Sequence, residues 1–221
     1  MPDPAQLLQM ITTSLGQNFG LGTLTAAAAN DRYEAFIWLL VIQAAQAEQA
    51  QVALVDVYGN AATAPLLRTS PGVIASQAYP YTHAVISFPG KPPLEAHVGI
   101  KTAGKSSVPH ECDVMVLEQV EADACRTSGA NPRYGSAVIV VECKYYSDNL
   151  PLRLSREFLG LCKEMRSVDC FFVASSTSSS VLKVLAHKHC HRSANVLPNS
   201  QTAQTLVHLF REKFDHFKSL N

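Results

Sequence analysis

Four consecutive apolar residues, Val138-Ile139-Val140-Val141, run directly into Glu142-Cys143-Lys144. A short, β-branched run of this kind reads as a buried strand. Successive side chains on a strand point to opposite faces, so Glu142 and Lys144 leave the strand end on the same side. Setting a carboxylate and an ammonium beside a hydrophobic core costs several kcal/mol unless each is paired or bound to a metal. Whatever this chain folds into has to supply that partner.

A second strand offers one. His110-Glu111-Cys112-Asp113-Val114-Met115-Val116-Leu117 sets Asp113 among apolar neighbours much as Glu142 is set. Two short strands carrying acids bring Asp113 beside Glu142, where the carboxylates repel and are driven toward their neutral forms unless a cation lies between them. Oxygen-only ligands completed by water suit magnesium, with manganese as the alternative. Lys144 then lies next to the bound water, placed to orient it or to take up its proton during attack on a phosphodiester. The chemistry implied is metal-assisted hydrolysis.

In this order the residues resemble the PD-(D/E)xK nuclease superfamily, the restriction-endonuclease-like proteins, whose signature is an acid on one strand and Glu-x-Lys on the next. Many members add a Glu from an N-terminal helix, and here Glu34 stands in the otherwise apolar segment Asp31 to Ile42. The family core of helix, three antiparallel-type strands, helix and strand can be followed from about residue 31 to residue 190. The chain departs from the family's name in its proline, since Pro109 precedes Asp113 by four residues.

The resemblance implies an α/β fold with a restriction-endonuclease-like core, a mixed central β-sheet flanked by helices. It also implies that Asp113 and Glu142, with the backbone carbonyl of Cys143, hold one or two magnesium ions. Glu34 would bind metal directly or through water, and Lys144 would position the attacking water. The activity implied is a metal-dependent nuclease cutting DNA by preference, with RNA as a further substrate class, in restriction, defence or repair. The alternative is a nucleic-acid-binding or assembly protein that keeps the fold without catalysis.

A chain of 221 residues that is 47% hydrophobic suffices for a single sizeable core. The expected organisation is one nuclease-like domain over 1–221: an N-terminal extension over 1–30, a catalytic core over 31–190 and a C-terminal helical extension over 191–221. Equal numbers of acidic and basic residues, 18 each, remove the overall basic field common in nucleic-acid binders, so any DNA contact must be local. Six cysteines without a CxxC pair fit a reducing compartment. Cys112 and Cys143 alternate with the site residues and are expected on the opposite, buried side of the sheet as small hydrophobes. The first thirty residues lack a basic stretch before an apolar one, and Gln43 and Gln46 interrupt the apolar helix, so a cytoplasmic protein without a membrane partner is expected.

Along the chain, residues 4 to 16 read as a short helix, Gly20 and Gly22 as a break, and about 31 to 49 as a long helix. Strands are expected over 51–57 and 81–88, and a hairpin over 94–101 and 110–118. A polar loop over 122–135 then leads to the Glu-x-Lys strand. Leu154, Phe158, Leu161 and Met165 share a helix face. A core strand follows over 170–174, then helices over about 179–190 and 201–219. The serine run from Ser175 to Ser180 is expected to turn the chain and cap the first of these. The C-terminal helix carries an apolar stripe that could form a homodimer, with packing on its own core at least as compatible; a partner subunit is a further possible source of specificity.

One motif points elsewhere. Gly99 to Ser106 matches the phosphate-cradling pattern GxxxxGK[ST], but Pro109 and a strand follow where the pattern needs a helix, so a hairpin loop is expected. Lys101 and Lys105 on that loop, and Tyr145 beside the active lysine, are candidate nucleic-acid contacts. Alternation sets Glu111 on the side of Asp113 as a further ligand or a partner for a base, and Glu95 on the neighbouring strand is a lesser candidate for the site. His110 reads as a structural histidine. His187, His189, Cys190 and His191 read as a basic helix C-terminus in preference to a metal site. Tyr146 is expected to pack, and Arg153 and Arg156 to be exposed.

Overall fold

The helix that carries Glu34 is apolar around its circumference, and such a helix must be covered on every side. In a computed structural model that describes residues 29–165, 169–188 and 190–220, with Ala5, Gln6, Gln9, Met10, Ile11 and Thr13, this helix, α1 (Ala29–Ala47), buries Tyr33, every residue from Ala35 to Ile42, Ala44 and Ala45. The six described residues of the helix expected over 4 to 16 are helical. The rest of that segment, with Gly20 and Gly22, lies outside the described residues.

One cover of α1 is a seven-stranded sheet in the order β1 (Gln51–Asp56), β2 (Thr82–Ser87), β3 (Leu94–Ala103), β4 (Pro109–Glu118), β5 (Ala137–Lys144), β6 (Asp169–Ala174) and β7 (His191–Ser193). Neighbours from β1 to β5 are antiparallel. From β5 onward the pairing is parallel. Parallel neighbours need crossover segments; α3 (Arg153–Met165) lies between β5 and β6, and α4 (Ser179–His187) between β6 and β7. The other cover is α5 (Gln201–Leu220), whose Leu206, Phe210, Phe214 and Phe217 share one core cluster with α1, Val98, Val114, Ile139, Val141 and Phe171. On the opposite face a second cluster joins Phe158, Leu161, Met165, Val181 and Leu185 to Met115, Leu117, Val140 and Phe172. The chain is thus an α/β protein with a mixed sheet flanked by helices.

Two hydrogen bonds fix α1 in its slot. The Trp38 indole N–H donates to the Ala96 carbonyl of β3 at 3.0 Å, and the Tyr33 hydroxyl to the Val196 carbonyl at 3.1 Å. A buried polar tip without such a partner would offset much of what the ring gains by burial.

The structure departs from the sequence reading at several elements. The polar segment expected as a loop over 122–135 begins with a helix, α2 (Gln119–Ser128), and only Tyr134–Ser136 adds a further short turn. Ala122 and Cys125, three residues apart, give α2 a narrow buried face, and Gly129 ends it at a φ of 72°, a left-handed conformation that glycine adopts without strain. The helix expected to 190 stops at His187, and His191 lies on β7, stacked on Phe171 at 4.6 Å and paired with Asp169 at 3.1 Å. His189 lies outside the described residues. Within 191–221, β7 extends the sheet, and the phenylalanines of α5 pack into the chain's own core, one of the arrangements expected for that stripe. Among the described residues no helix is long and apolar enough to cross a membrane.

Phe210 is fully buried, with its ring edge-on to Phe171 at 5.1 Å. Phe210→Ala is expected to lower the unfolding free energy by about 3–5 kcal/mol. Urea denaturation checks it; a loss under about 1 kcal/mol would mean that α5 contributes little to the core.

Candidate active site

The site begins where the sheet comes apart. The β4–β5 ladder runs from Leu117 and Ala137 to Val114 and Val141 and stops there. One residue further along β4, the Asp113 carboxylate accepts a hydrogen bond from the Cys143 amide at 2.7 Å. A side chain thus takes the place of the next backbone acceptor, and the parting strands keep a buried amide satisfied.

Local geometry on β3 and β4 prepares this seam. Val98 and Val114 pack in the cluster beneath α1, yet Ile100 and Cys112, two residues on, pack in the cluster on the other face. Residues two apart on a regular strand share a face, so both strands exchange faces across the Gly99–Asp113 position. Gly99 makes the reversal there with a φ of 61°. The sequence expectation that Cys112 and Cys143 share one side is therefore corrected: both are buried, on opposite sides of the sheet. Burial pushes the Cys112 thiol up to about 12.

On β5 alternation holds. Ile139, Val141 and Cys143 belong to the cluster beneath α1 and Val140 to the other, which sends Glu142 and Lys144 together past the end of the core. The Lys144 ammonium stands 2.5 Å from Glu142 Oε1 and 3.9 Å from Asp113 Oδ2. Burial works against that ammonium, and the two carboxylates more than reverse the effect, holding it above its ordinary range. It stays a proton donor throughout the neutral range. The loop behind it is pinned: the Lys144 carbonyl accepts from the Ser175 amide at 3.0 Å, Ser175 Oγ exchanges hydrogen bonds with the Tyr146 backbone, and Ser176 Oγ donates to the Asp148 carbonyl at 2.7 Å. The serine run thus serves chiefly as a clamp on this loop; Ser178 stands at the N-cap position of α4 but makes no side-chain capping hydrogen bond.

Glu34 and Glu111 complete the acidic surround. Burial, followed by the charges of Asp113, Asp31 and Glu111, pushes the Glu34 carboxyl up to about 9. Burial and Glu142 push Asp113 up to about 7 against the pull of Lys144. Glu111 is also raised, by burial and by Glu142. These mutual effects put all four acids in one electrostatic neighbourhood with Lys144. Their carboxylates are oxygen donors of the kind a hard divalent ion takes, but no three of the four acids have ligand atoms all within 4.8 Å of one another, and the Lys144 ammonium is paired with both Asp113 and Glu142.

The other candidates stand at the edge of this centre or outside it. Lys101 pairs with Glu111 across the β3–β4 ladder, and Lys105 is exposed in the turn. The phosphate-cradling pattern is a hairpin whose Lys105 amide is bound by the Glu164 carbonyl at 2.9 Å and whose Ser106 amide is bound by the Glu164 carboxylate at 2.8 Å. Those amides are engaged by protein, in a turn that opens into β4. Tyr145 is half-buried with its ring 6.0 Å from that of Tyr33. His110 lies 3.6 Å from Glu164. Arg153 and Arg156 are exposed.

Glu95, considered for this site, belongs to another cluster. Its Oε2 faces His97 Nε2 at 2.9 Å and His83 Nε2 at 3.5 Å, and Arg126 grips both carboxylate oxygens. Burial pushes this carboxyl up, and hydrogen bonds from the histidines and Arg126 more than offset it, holding it below the usual range. Burial pulls the His97 imidazole down to about 4 against the opposing bond to Glu95, so it is neutral at pH 7. Among the described residues, these three side chains are the ones whose ligand atoms all lie within 4.8 Å of one another. Sequence reasoning missed the cluster, although Glu95 and His97 at period two and His83 on another apolar strand were its visible signal.

No protein-family model, curated protein or solved structure matches the chain.

The raised Glu34 pKa fixes a sign. Between about 4.5 and 9 the folded metal-free protein holds a proton that the unfolded chain releases, so folding stability falls as pH rises through that window. Glu34→Gln is expected to raise the melting temperature of metal-free protein at pH 8 and to leave it unchanged at pH 4. An advantage independent of pH would show that Glu34 is not strained by burial and its acidic neighbours.

Proposed function

We propose that this chain is a metal-dependent nuclease with a restriction-endonuclease-like core, hydrolysing phosphodiester bonds in DNA by preference. The observation that carries the reading is the hydrogen bond from the Cys143 amide to Asp113 at the parting of β4 and β5, which gathers Asp113, Glu142 and Lys144. Glu34 reaches the same electrostatic neighbourhood from α1. Asp113, Glu142 and Glu34 would hold magnesium or manganese, with the Cys143 carbonyl as a further oxygen ligand. When bound, the ion would supply Lewis-acid stabilisation of charge on the phosphate oxygens.

The chain's own part is orientation and charge. Lys144 Nζ, fixed by two carboxylates, donates an N–H to the attacking water and aligns it with phosphorus. Because that ammonium is held above its ordinary range, Lys144 acts as donor and electrostatic partner, and proton uptake falls to a neighbouring acid such as Glu111, whose carboxyl is raised by burial and by Glu142. Lys101 and Lys105 would steady the backbone of the substrate locally, as a chain of zero formal net charge requires.

The second reading, a non-catalytic nucleic-acid-binding or assembly protein of the same fold, is favoured by the closed Lys144–Glu142 pair, which is complete without an ion. Plasmid cleavage in magnesium and in manganese separates the two. Lys144→Ala and Asp113→Asn are each expected to cut the rate by at least about 100-fold, and magnesium is expected to raise the melting temperature of wild type but not of Asp113→Asn. DNA and RNA bound yet uncut by wild type with either metal would leave the non-catalytic reading standing.

A further inference from the structure

We propose that His83, Glu95 and His97 form a second, separate metal site, selective for a borderline transition ion such as Zn2+. The ligands come from adjacent strands: His83 on β2 lies one step beyond the Ala84–Ala96 pair, and Glu95 and His97 alternate on β3. The two imidazoles stack 4.7 Å apart at 13°, with both Nε2 atoms turned toward Glu95 Oε2. Neither Nδ1 has a hydrogen-bond partner among the described residues, so each ring is fixed through the nitrogen that converges on the carboxylate. All three side chains are buried, at 3% exposure or less.

Two imidazole nitrogens and one carboxylate oxygen make a donor set for zinc, with a fourth position open, whereas magnesium prefers oxygen throughout. The support around Glu95 fits that role. Its Oε1 is held by Gln119 Nε2 at 3.2 Å, which orients the carboxylate independently of Arg126.

A cation already stands at the point of convergence. Arg126 Nη2 is hydrogen-bonded to Glu95 Oε2 and lies 3.3 Å from His83 Nε2. That guanidinium nitrogen stands in for the ion and competes with it. Arg126 can yield, because its Nη1 is also tied to the exposed Asp123 at 2.7 Å. A cavity of about 430 Å3, lined by Asp56, His83, Glu95, Asp123 and Arg126, provides an acidic approach. A bound ion would tie β2 to β3 beneath α2.

The test uses full-length protein stripped with a chelator, titrated calorimetrically with Zn2+ and spectroscopically with Co2+. One Zn2+ per chain is expected at this site, and Co2+ there is expected to give the strong visible absorption of a low-coordinate histidine site, which an all-oxygen six-coordinate site lacks. His97→Ala should weaken zinc binding by at least about 100-fold and abolish the Co2+ band, while Asp113→Asn leaves both intact. Arg126→Gln, which removes the competing cation and leaves all three ligands, should tighten zinc binding about tenfold, a shift of about 1.4 kcal/mol. This variant keeps the test open if His97→Ala fails to fold. The proposal is overturned by a wild type with no saturable zinc site, by binding that survives His97→Ala or is lost in Asp113→Asn, or by unchanged or weaker binding in Arg126→Gln.

Discussion

A helix that is apolar on every side has no stable surface position, and that constraint on α1 organises the whole molecule. The sheet covers one side of it and α5 the other, so the C-terminal residues are structurally obligatory even though they lie farthest from it in sequence. The Trp38 and Tyr33 hydrogen bonds then set how α1 sits over the sheet. Burying the helix also confines Glu34, which from this position feels the charges of Asp113 and Glu111. Packing thus puts an acid where its charge is costly, the arrangement expected of a site whose occupant compensates the strain.

The second organising event is the loss of one ladder bond. Where β4 and β5 part, Asp113 accepts a hydrogen bond from the Cys143 amide, which keeps it beside Lys144 at the strand end. The face reversal at Gly99 and Asp113 aims this carboxylate into the seam between strands, clear of both cores. Lys144 is then held by carboxylates from two strands. The proposed catalytic role rests on that enclosure: a lysine so held donates hydrogen bonds reliably and gives up its proton with difficulty.

The same sheet carries two polar centres of different chemistry. Around Lys144 all the acidic groups offer oxygen and negative charge is in excess. Around Glu95 there are two imidazoles and a guanidinium, and the carboxylate is already compensated. One draws on β4, β5 and α1 and the other on β2, β3 and α2, so the proposed nuclease chemistry does not depend on the histidine cluster.

Much of this was legible in the chain. The apolar run ending in Glu142 and Lys144 determined a buried strand with two charges on one side, because period-two alternation is a local property of extended backbone. The apolar character of α1 and the phenylalanine stripe of α5 determined that both helices bury a face, because burial follows composition and spacing. Only the tertiary structure decided where Asp113 points, since the reversal at Gly99 breaks the alternation from which its direction and that of Cys112 were inferred. It alone turned residues 119–128 into a helix, because Ala122 and Cys125 become a buried face only when β4 and its neighbours lie beneath them. The joining of Glu95 to His83, His97 and Arg126 was signalled in sequence only by the period-two spacing of Glu95 and His97 and by His83 on another apolar strand. Those residues come from two strands and a helix, and side-chain convergence across elements depends on register and packing, which no single segment encodes.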